Sequence, residues 1–264
     1  MSAPNPLAAM HPARRDRNGK LVALASGKGG VGKTWLAVTL SHALARAGER
    51  TLLFDGDLGL ANVDVQLGLM PRHDLGAVIA GRVALRDAVH PFTGGGFDIV
   101  AGRSGSGLLG TLDAARIGAL RHHLLALADA YDRVVLDLSA GVETGVQTLA
   151  RNGGAVLVVT TDEPTALTDA YAFIKIMAGR GQDLDFRVVV NMAGGRREGE
   201  RTYATLRKAC ESFLHLSPPL AGIVRRDLKV RDAIRHQTAL LTRHPTSAAA
   251  KDVEAICERL ISGP

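Results

Sequence analysis

The chain has 264 residues, 46% of them hydrophobic, enough to bury a large core, and it fits one large α/β domain better than two small ones. Lys and Arg outnumber Asp and Glu by 32 to 26, for a formal net charge of +6; the cations are mostly arginines scattered along helical stretches, so solvated faces explain them better than a binding patch. No apolar run approaches membrane-span length, and two distant cysteines, Cys210 and Cys257, without Cys-x-x-Cys spacing, point to a cytoplasmic chain.

Residues 1–19 carry Pro4, Pro6 and Pro12 with Arg14, Arg15 and Arg17 and no apolar core of a signal peptide, so they read as a disordered basic arm. The folded domain then spans residues 20–264. Leu21 to Ala25 is apolar enough for a buried strand, and Trp35 to Ala47 places Leu36, Leu40, Ala43, Leu44 and Ala47 at helical spacing. Between them lie Gly27, Lys28, Gly29, Gly30, Val31, Gly32, Lys33 and Thr34, a loop built to cradle phosphate. Its glycines let backbone N–H groups converge on one anion, and the following helix adds its partial positive end. Lys33 reaches the β- and γ-phosphates, and the Thr34 hydroxyl ligates Mg²⁺. The same glycines fit Gly-x-Gly-x-x-Gly, with Asp55 as a ribose-binding carboxylate. That dinucleotide reading leaves Lys33 and Thr34 unexplained, so the triphosphate reading is preferred.

Strands are expected at Thr51 to Phe54, Phe97 to Ala101, Arg133 to Leu138, Ala155 to Thr160, Phe186 to Asn191 and Leu220 to Val224, with helices between. The clearest helices are Leu112 to Ala130, Ala166 to Ala178 behind Pro164 and Thr165, and Ser247 to Ile261. A second glycine match, Gly105-x-Gly107-x-x-Gly110, reads as a flexible turn. This alternation predicts a mostly parallel twisted sheet with helices on both faces, a single nucleotide-binding domain whose chemistry sits in the loops after the strands.

Two of those loops are acidic. Asp55-Gly-Asp57-Leu-Gly-Leu-Ala-Asn62-Val-Asp64 is built for contact with an ion or water, and Asp137 ends an apolar strand as a carboxylate holding Mg²⁺ through its water shell would. Thr34, Asp55 and Asp137 are thus the metal candidates. Asp57 is the choice for orienting the attacking water, and the Gly141 backbone N–H for sensing the γ-phosphate. Phosphoryl transfer to water needs such charge compensation and positioning more than covalent help.

Together these residues resemble the deviant Walker-A ATPases of the MinD/ParA group: Lys28 to Thr34, Asp55 to Gly59, and Asp137-x-x-Ala-Gly141. Within that group the phrases Asp55 to Asp64, Asp162 to Ala172 and Val230 to Gln237 are similar to the flagellar-number regulators of the FleN/FlhG branch. The resemblance spans roughly Lys20 to Leu260. It implies an ATP- and Mg²⁺-dependent switch, monomeric without ATP and a sandwich dimer with it, hydrolysing ATP slowly to regulate flagellum biogenesis. It further implies a Lys28 that crosses to the partner's phosphates, although use within one subunit is the alternative, and an Asn191 that contacts adenine or simply caps the next segment.

Expected partners are a second copy, an SRP-type GTPase of the FlhF kind and flagellar basal-body components. Septum positioning or DNA partitioning is the alternative function, the latter using the basic clusters near Arg196 and Arg225. An iron–sulfur electron-transfer subunit is a remote third reading, because Cys210 and Cys257 lie outside the switch loops. A non-enzymatic ATP-binding adaptor is a fourth. Two departures stand out. Trp35 replaces the small polar residue that usually follows the Mg²⁺ threonine, leaving its backbone N–H for the α-phosphate, and Gly222 to Asp227 lacks the usual proline. The C-terminal stripe of Ala249, Val253, Ile256, Cys257 and Leu260, with mixed charges opposite, is expected to pack on the domain rather than lie on a membrane, which makes membrane contact at the inner face the less favoured expectation.

Overall fold

The computed structural model describes residues 20–57, 59–102, 113–151, 154–179 and 184–262. The N-terminal arm, the second glycine-rich turn and Leu112 at the start of its helix lie outside the described residues. The strands are β1 (Leu21–Ser26), β2 (Thr51–Gly56), β3 (Val89–Phe92), β4 (Phe97–Val100), β5 (Arg133–Ala140), β6 (Ala155–Thr160), β7 (Asp185–Ala193) and β8 (Leu220–Arg225). They form one sheet in the order β3-β4-β2-β5-β1-β6-β7-β8. Every pairing is parallel except β3 with β4.

The described helices are α1 (Lys33–Arg46), α2 (Val63–Leu67), α3 (Leu75–Ile79), α4 (Ala114–Ala128), α5 (Thr144–Ala150), α6 (Pro164–Ala178), α7 (Arg196–Leu214), α8 (Leu228–Arg235), α9 (Leu240–Arg243) and α10 (Ala248–Ser262). Both sheet faces are covered, which is why the central strands read as continuous apolar runs. All six residues of β1 are buried. Its side chains alternate between two cores: Val22 and Leu24 join α1 and α10, while Leu21, Ala23 and Ala25 join α4, α5, α6 and α7.

Seven strands fall where the apolar runs predict them, and β3 is an addition. It is an antiparallel edge strand of four partly exposed residues containing Pro91, whose missing N–H is tolerated at an edge. The C-terminal helix packs as its stripe demands, with Ala249, Val253, Ile256, Cys257 and Leu260 all buried. Asp252, which the pattern places on the polar face, is buried too, at 4% exposure. It is held by Arg225, whose backbone N (3.0 Å), Nε (2.8 Å) and Nη2 (2.9 Å) all donate to its carboxylate. The basic cluster near Arg225 is thereby partly spent on structure.

The strand order decides where the chemistry collects. β1 lies between β5 and β6, and β5 lies between β1 and β2, so the loop after β1 and the carboxylates of β2 and β5 share one end of the sheet. Asp55 is the register partner of Asp137, and Leu24 that of Asp137 on the other side.

Candidate functional site

The loop from Gly27 to Thr34 joins β1 to α1, and its shape needs glycine at two points in particular. Gly32 has φ of 84° at the N-cap of α1, and a Cβ there would meet Asn191 Nδ2 at 2.5 Å. Gly27 lies against α6, where a Cβ would sit 2.0 Å from the Asp169 carbonyl oxygen. Asn191 donates its amide N–H to the Val31 carbonyl at 2.8 Å and is 2% exposed. It therefore supports the loop from below. Its contact with adenine rests on the resemblance alone.

Lys33 opens α1 and is 8% exposed. Burial lowers its pKa, opposed by the charges of Asp137 and Asp57, so it sits among the carboxylates that the motif assigns to it. Asp55 is completely buried; burial first and Asp137 second push its carboxyl up to about 8, against backbone N–H bonds from Val63 and Asp57. A buried group facing Asp137 cannot serve as an exposed ribose acceptor, so the dinucleotide reading fails on geometry as well. Burial pushes Asp137 up to about 6, opposed by the Thr34 hydroxyl and by Lys33. Neither Asp137 oxygen accepts a well-formed hydrogen bond. Two buried, adjacent carboxylates beside a hydroxyl are costly without a cation, and hard oxygen donors of this kind suit Mg²⁺. Asp55, Asp137 and Thr34 therefore fit the expected metal.

Asp57 serves its own loop: its N–H donates to Asp55 Oδ1 at 3.3 Å, and its Oδ1 accepts from the N–H groups of Gly59 (3.2 Å) and Leu60 (3.0 Å). These bonds fix the turn and leave Oδ2 for water. Gly141, at φ of 96°, donates its N–H to the Ser26 carbonyl at 2.8 Å, so sensing a γ-phosphate requires exchange of that bond.

Lys28 is engaged within its own subunit. Its ammonium donates to Glu163 Oε2 and to Thr165 Oγ1, each at 2.8 Å, at the start of α6. Its carbonyl accepts from the Ser26 hydroxyl at 2.7 Å. Glu163 and Thr165 were not singled out from the sequence as site residues. The available signal was an acid just before the helix-starting Pro164, on the loop after a buried strand. The ion pair is exposed, at 37% and 63%, and such pairs are worth under about 1 kcal/mol.

Trp35 is 6% exposed, with its indole N–H buried and unpartnered, and Cys210 and Cys257 are buried and free in α7 and α10.

Comparison with known proteins agrees with this geometry. Residues 22–240 match the family described as the CobQ/CobB/MinD/ParA nucleotide binding domain. The antiactivator FleN of Pseudomonas aeruginosa is 38% identical over 258 residues, covering 98% of this chain and 90% of that protein. The flagellum site-determining protein YlxH of Helicobacter pylori is 28% identical over 246 residues, covering 93% and 83%. Among solved structures, the cell division ATPase MinD of Pyrococcus furiosus superposes with a TM-score of 0.76 at 25% identity, covering 92% of this chain and 98% of that one.

Proposed function

The chain belongs to the CobQ/CobB/MinD/ParA nucleotide-binding family, and from that premise we propose that it is an ATP- and Mg²⁺-dependent dimerising switch that regulates flagellum biogenesis. The carrying observation is the unpartnered Asp137 carboxylate beside buried Asp55, facing Lys33 and Thr34 at the mouth of the glycine loop. The flagellar assignment draws on the similarity to FleN and YlxH, and the ATPase assignment on that to MinD.

Bound Mg²⁺ would supply positive charge against the β- and γ-phosphates. The loop N–H groups bind the phosphates, and Lys33 neutralises charge that develops on the leaving group. Asp57, fixed by its turn, orients the water through Oδ2. Gly141 exchanges its bond to Ser26 for one to the γ-phosphate, which couples the nucleotide state to β5 and α5. Lys28 leaves Glu163 and Thr165 to meet the phosphates of a second copy. In the single subunit it rests against Glu163 and Thr165 through a weak exposed pair that a partner's phosphates can displace. A cytoplasmic chain, with a GTPase of the FlhF kind or basal-body components as partners, is the setting we infer.

Light scattering tests this. Asp57→Ala with Mg-ATP is expected to accumulate as a dimer, and Lys28→Ala to remain monomeric while still binding ATP by calorimetry. Equal sizes for the two variants would remove Lys28 from the interface, and no heat of ATP binding to the parent chain would remove the nucleotide switch itself.

A further inference from the structure

A nucleotide held by the glycine loop has a direction, and the carboxylates fix it. Asp55 and Asp137 stand at the ends of β2 and β5, on one side of β1, and Gly141 follows β5 on that same side. With the γ-phosphate turned toward them, the nucleoside leaves the loop over the strands on the other side of β1, which are β6, β7 and β8. The ends of those strands are where a base must find its contacts.

The end of β7 runs close to the loop. A Cβ on Gly32 would meet Asn191 Nδ2 at 2.5 Å and Met192 Cε at 3.1 Å, so both side chains rest against the N-cap of α1. Asn191 is buried and donates to the Val31 carbonyl, whereas Met192 is half-buried and holds a left-handed φ of 56°. Non-glycine residues in that conformation carry strain and concentrate at ligand sites.

Arg226 crosses to this bend from just beyond β8. Its backbone N–H donates to the Ala193 carbonyl at 2.8 Å, and its Nε donates to the Met192 carbonyl through a long bond of 3.4 Å. The side chain is exposed and, among the described residues, forms no ion pair. Neighbouring Arg225 is placed otherwise, since its guanidinium clasps Asp252. The nearby acids bond to backbone: Glu198 accepts from the Gly194 N–H at 3.3 Å, and Asp227 accepts from the N–H groups of Lys229 and Ala249. Arg226 thus presents a planar cation, tethered by one nitrogen, beside a residue that touches the phosphate loop.

We propose that Arg226 is a nucleoside-binding residue whose guanidinium stacks on the face of the purine base, with the Met192 side chain between the base and the N-cap of α1. The inference rests on the nucleotide reading above and extends it to recognition of the base. A guanidinium plane matches an aromatic ring, is attracted by its electron-rich face and needs no acceptor on its edge. A purine offers the larger face, so the contact favours purines over pyrimidines.

Calorimetric titration of the full chain with ATP, UTP and inorganic tripolyphosphate, each with Mg²⁺, tests this. Arg226→Ala is expected to weaken ATP binding about fivefold and to lower the preference for ATP over UTP about threefold, while tripolyphosphate keeps its parent affinity. Arg226→Lys retains the charge without the plane and is expected to recover little of either loss. Circular dichroism of both variants is expected to match the parent, because the replaced side chain is exposed and its backbone bond to Ala193 remains. Tripolyphosphate that weakens as much as ATP, or a lysine that restores ATP binding in full, would make Arg226 a charge for the phosphates and overturn the stacking role. A parent that binds ATP, with variants of unchanged ATP to UTP preference, would defeat this inference alone. A parent that takes up no nucleotide would defeat the nucleotide reading and this inference with it.

Discussion

Among the described residues, Asp55 and Asp137 are the carboxyls that burial pushes well up, and the sign of the effect on stability can be worked out. Their carboxyls titrate near 8 and 6 in the folded chain against about 4 when unfolded, so between these values the folded state holds protons that the unfolded state has lost. Stability without metal or nucleotide is therefore greatest at low pH within this window and falls as pH rises from about 4 to about 8. Asp55→Asn removes the larger part. Urea unfolding at pH 8 should find this variant more stable than the parent, by on the order of a few kcal/mol, with the advantage vanishing near pH 4. A parent that gains stability over that range would contradict the burial of these acids. The loop from Gly27 to Thr34 was legible in the sequence because its motif fits within eight consecutive positions between an apolar strand and a helical pattern. The partners of Lys28 were not, because Glu163 lies 135 residues away and only the fold brings it near.

At the scale of elements, α10 is fastened to the sheet by an ion pair whose acid is buried and whose arginine is one-third exposed. Arg225 reaches Asp252, whose carboxylate also accepts the Arg225 backbone N–H at 3.0 Å, while Arg259 donates to the Ala221 carbonyl at 2.9 Å, so α10 supplies partners to polar groups of the edge strand β8. Removing Asp252 takes away three hydrogen bonds to Arg225, one of them to its backbone N–H. Because Arg225 is one-third exposed and can turn to water, Asp252→Ala should lower stability by about 1–2 kcal/mol, with hydrogen exchange rising first in α10 and β8; exchange that rises uniformly would deny the clasp a local role. The apolar stripe of α10 could be read at helical spacing, whereas Asp252 looked like an ordinary surface acid because its arginine belongs to another element. Strand β3 escaped for a different reason. Its Val-His-Pro-Phe run has little alternation, and its pairing is supplied by β4.

For the whole molecule, the sheet order is what turns separated motifs into one site, and it is the part least visible in the chain. Alternating apolar runs and helical patterns announce a parallel sheet, but not that β5 inserts between β1 and β2. The family resemblance implied this architecture only in outline. Since both cores share the central strands, the described chain should unfold in one cooperative transition. Mg-ATP at about 100 times its dissociation constant should add about 2.7 kcal/mol to stability. Calorimetric melting with and without Mg-ATP checks this, and two separate transitions would divide the domain.

The chain contains one tryptophan, and it follows directly on Thr34. Trp35 is enclosed in the core with its indole N–H unpaired. The chain's one indole thus sits one peptide bond from the threonine proposed to hold magnesium. Occupancy of the cleft can be followed by the colour and intensity of its emission, in real time and with no dye attached.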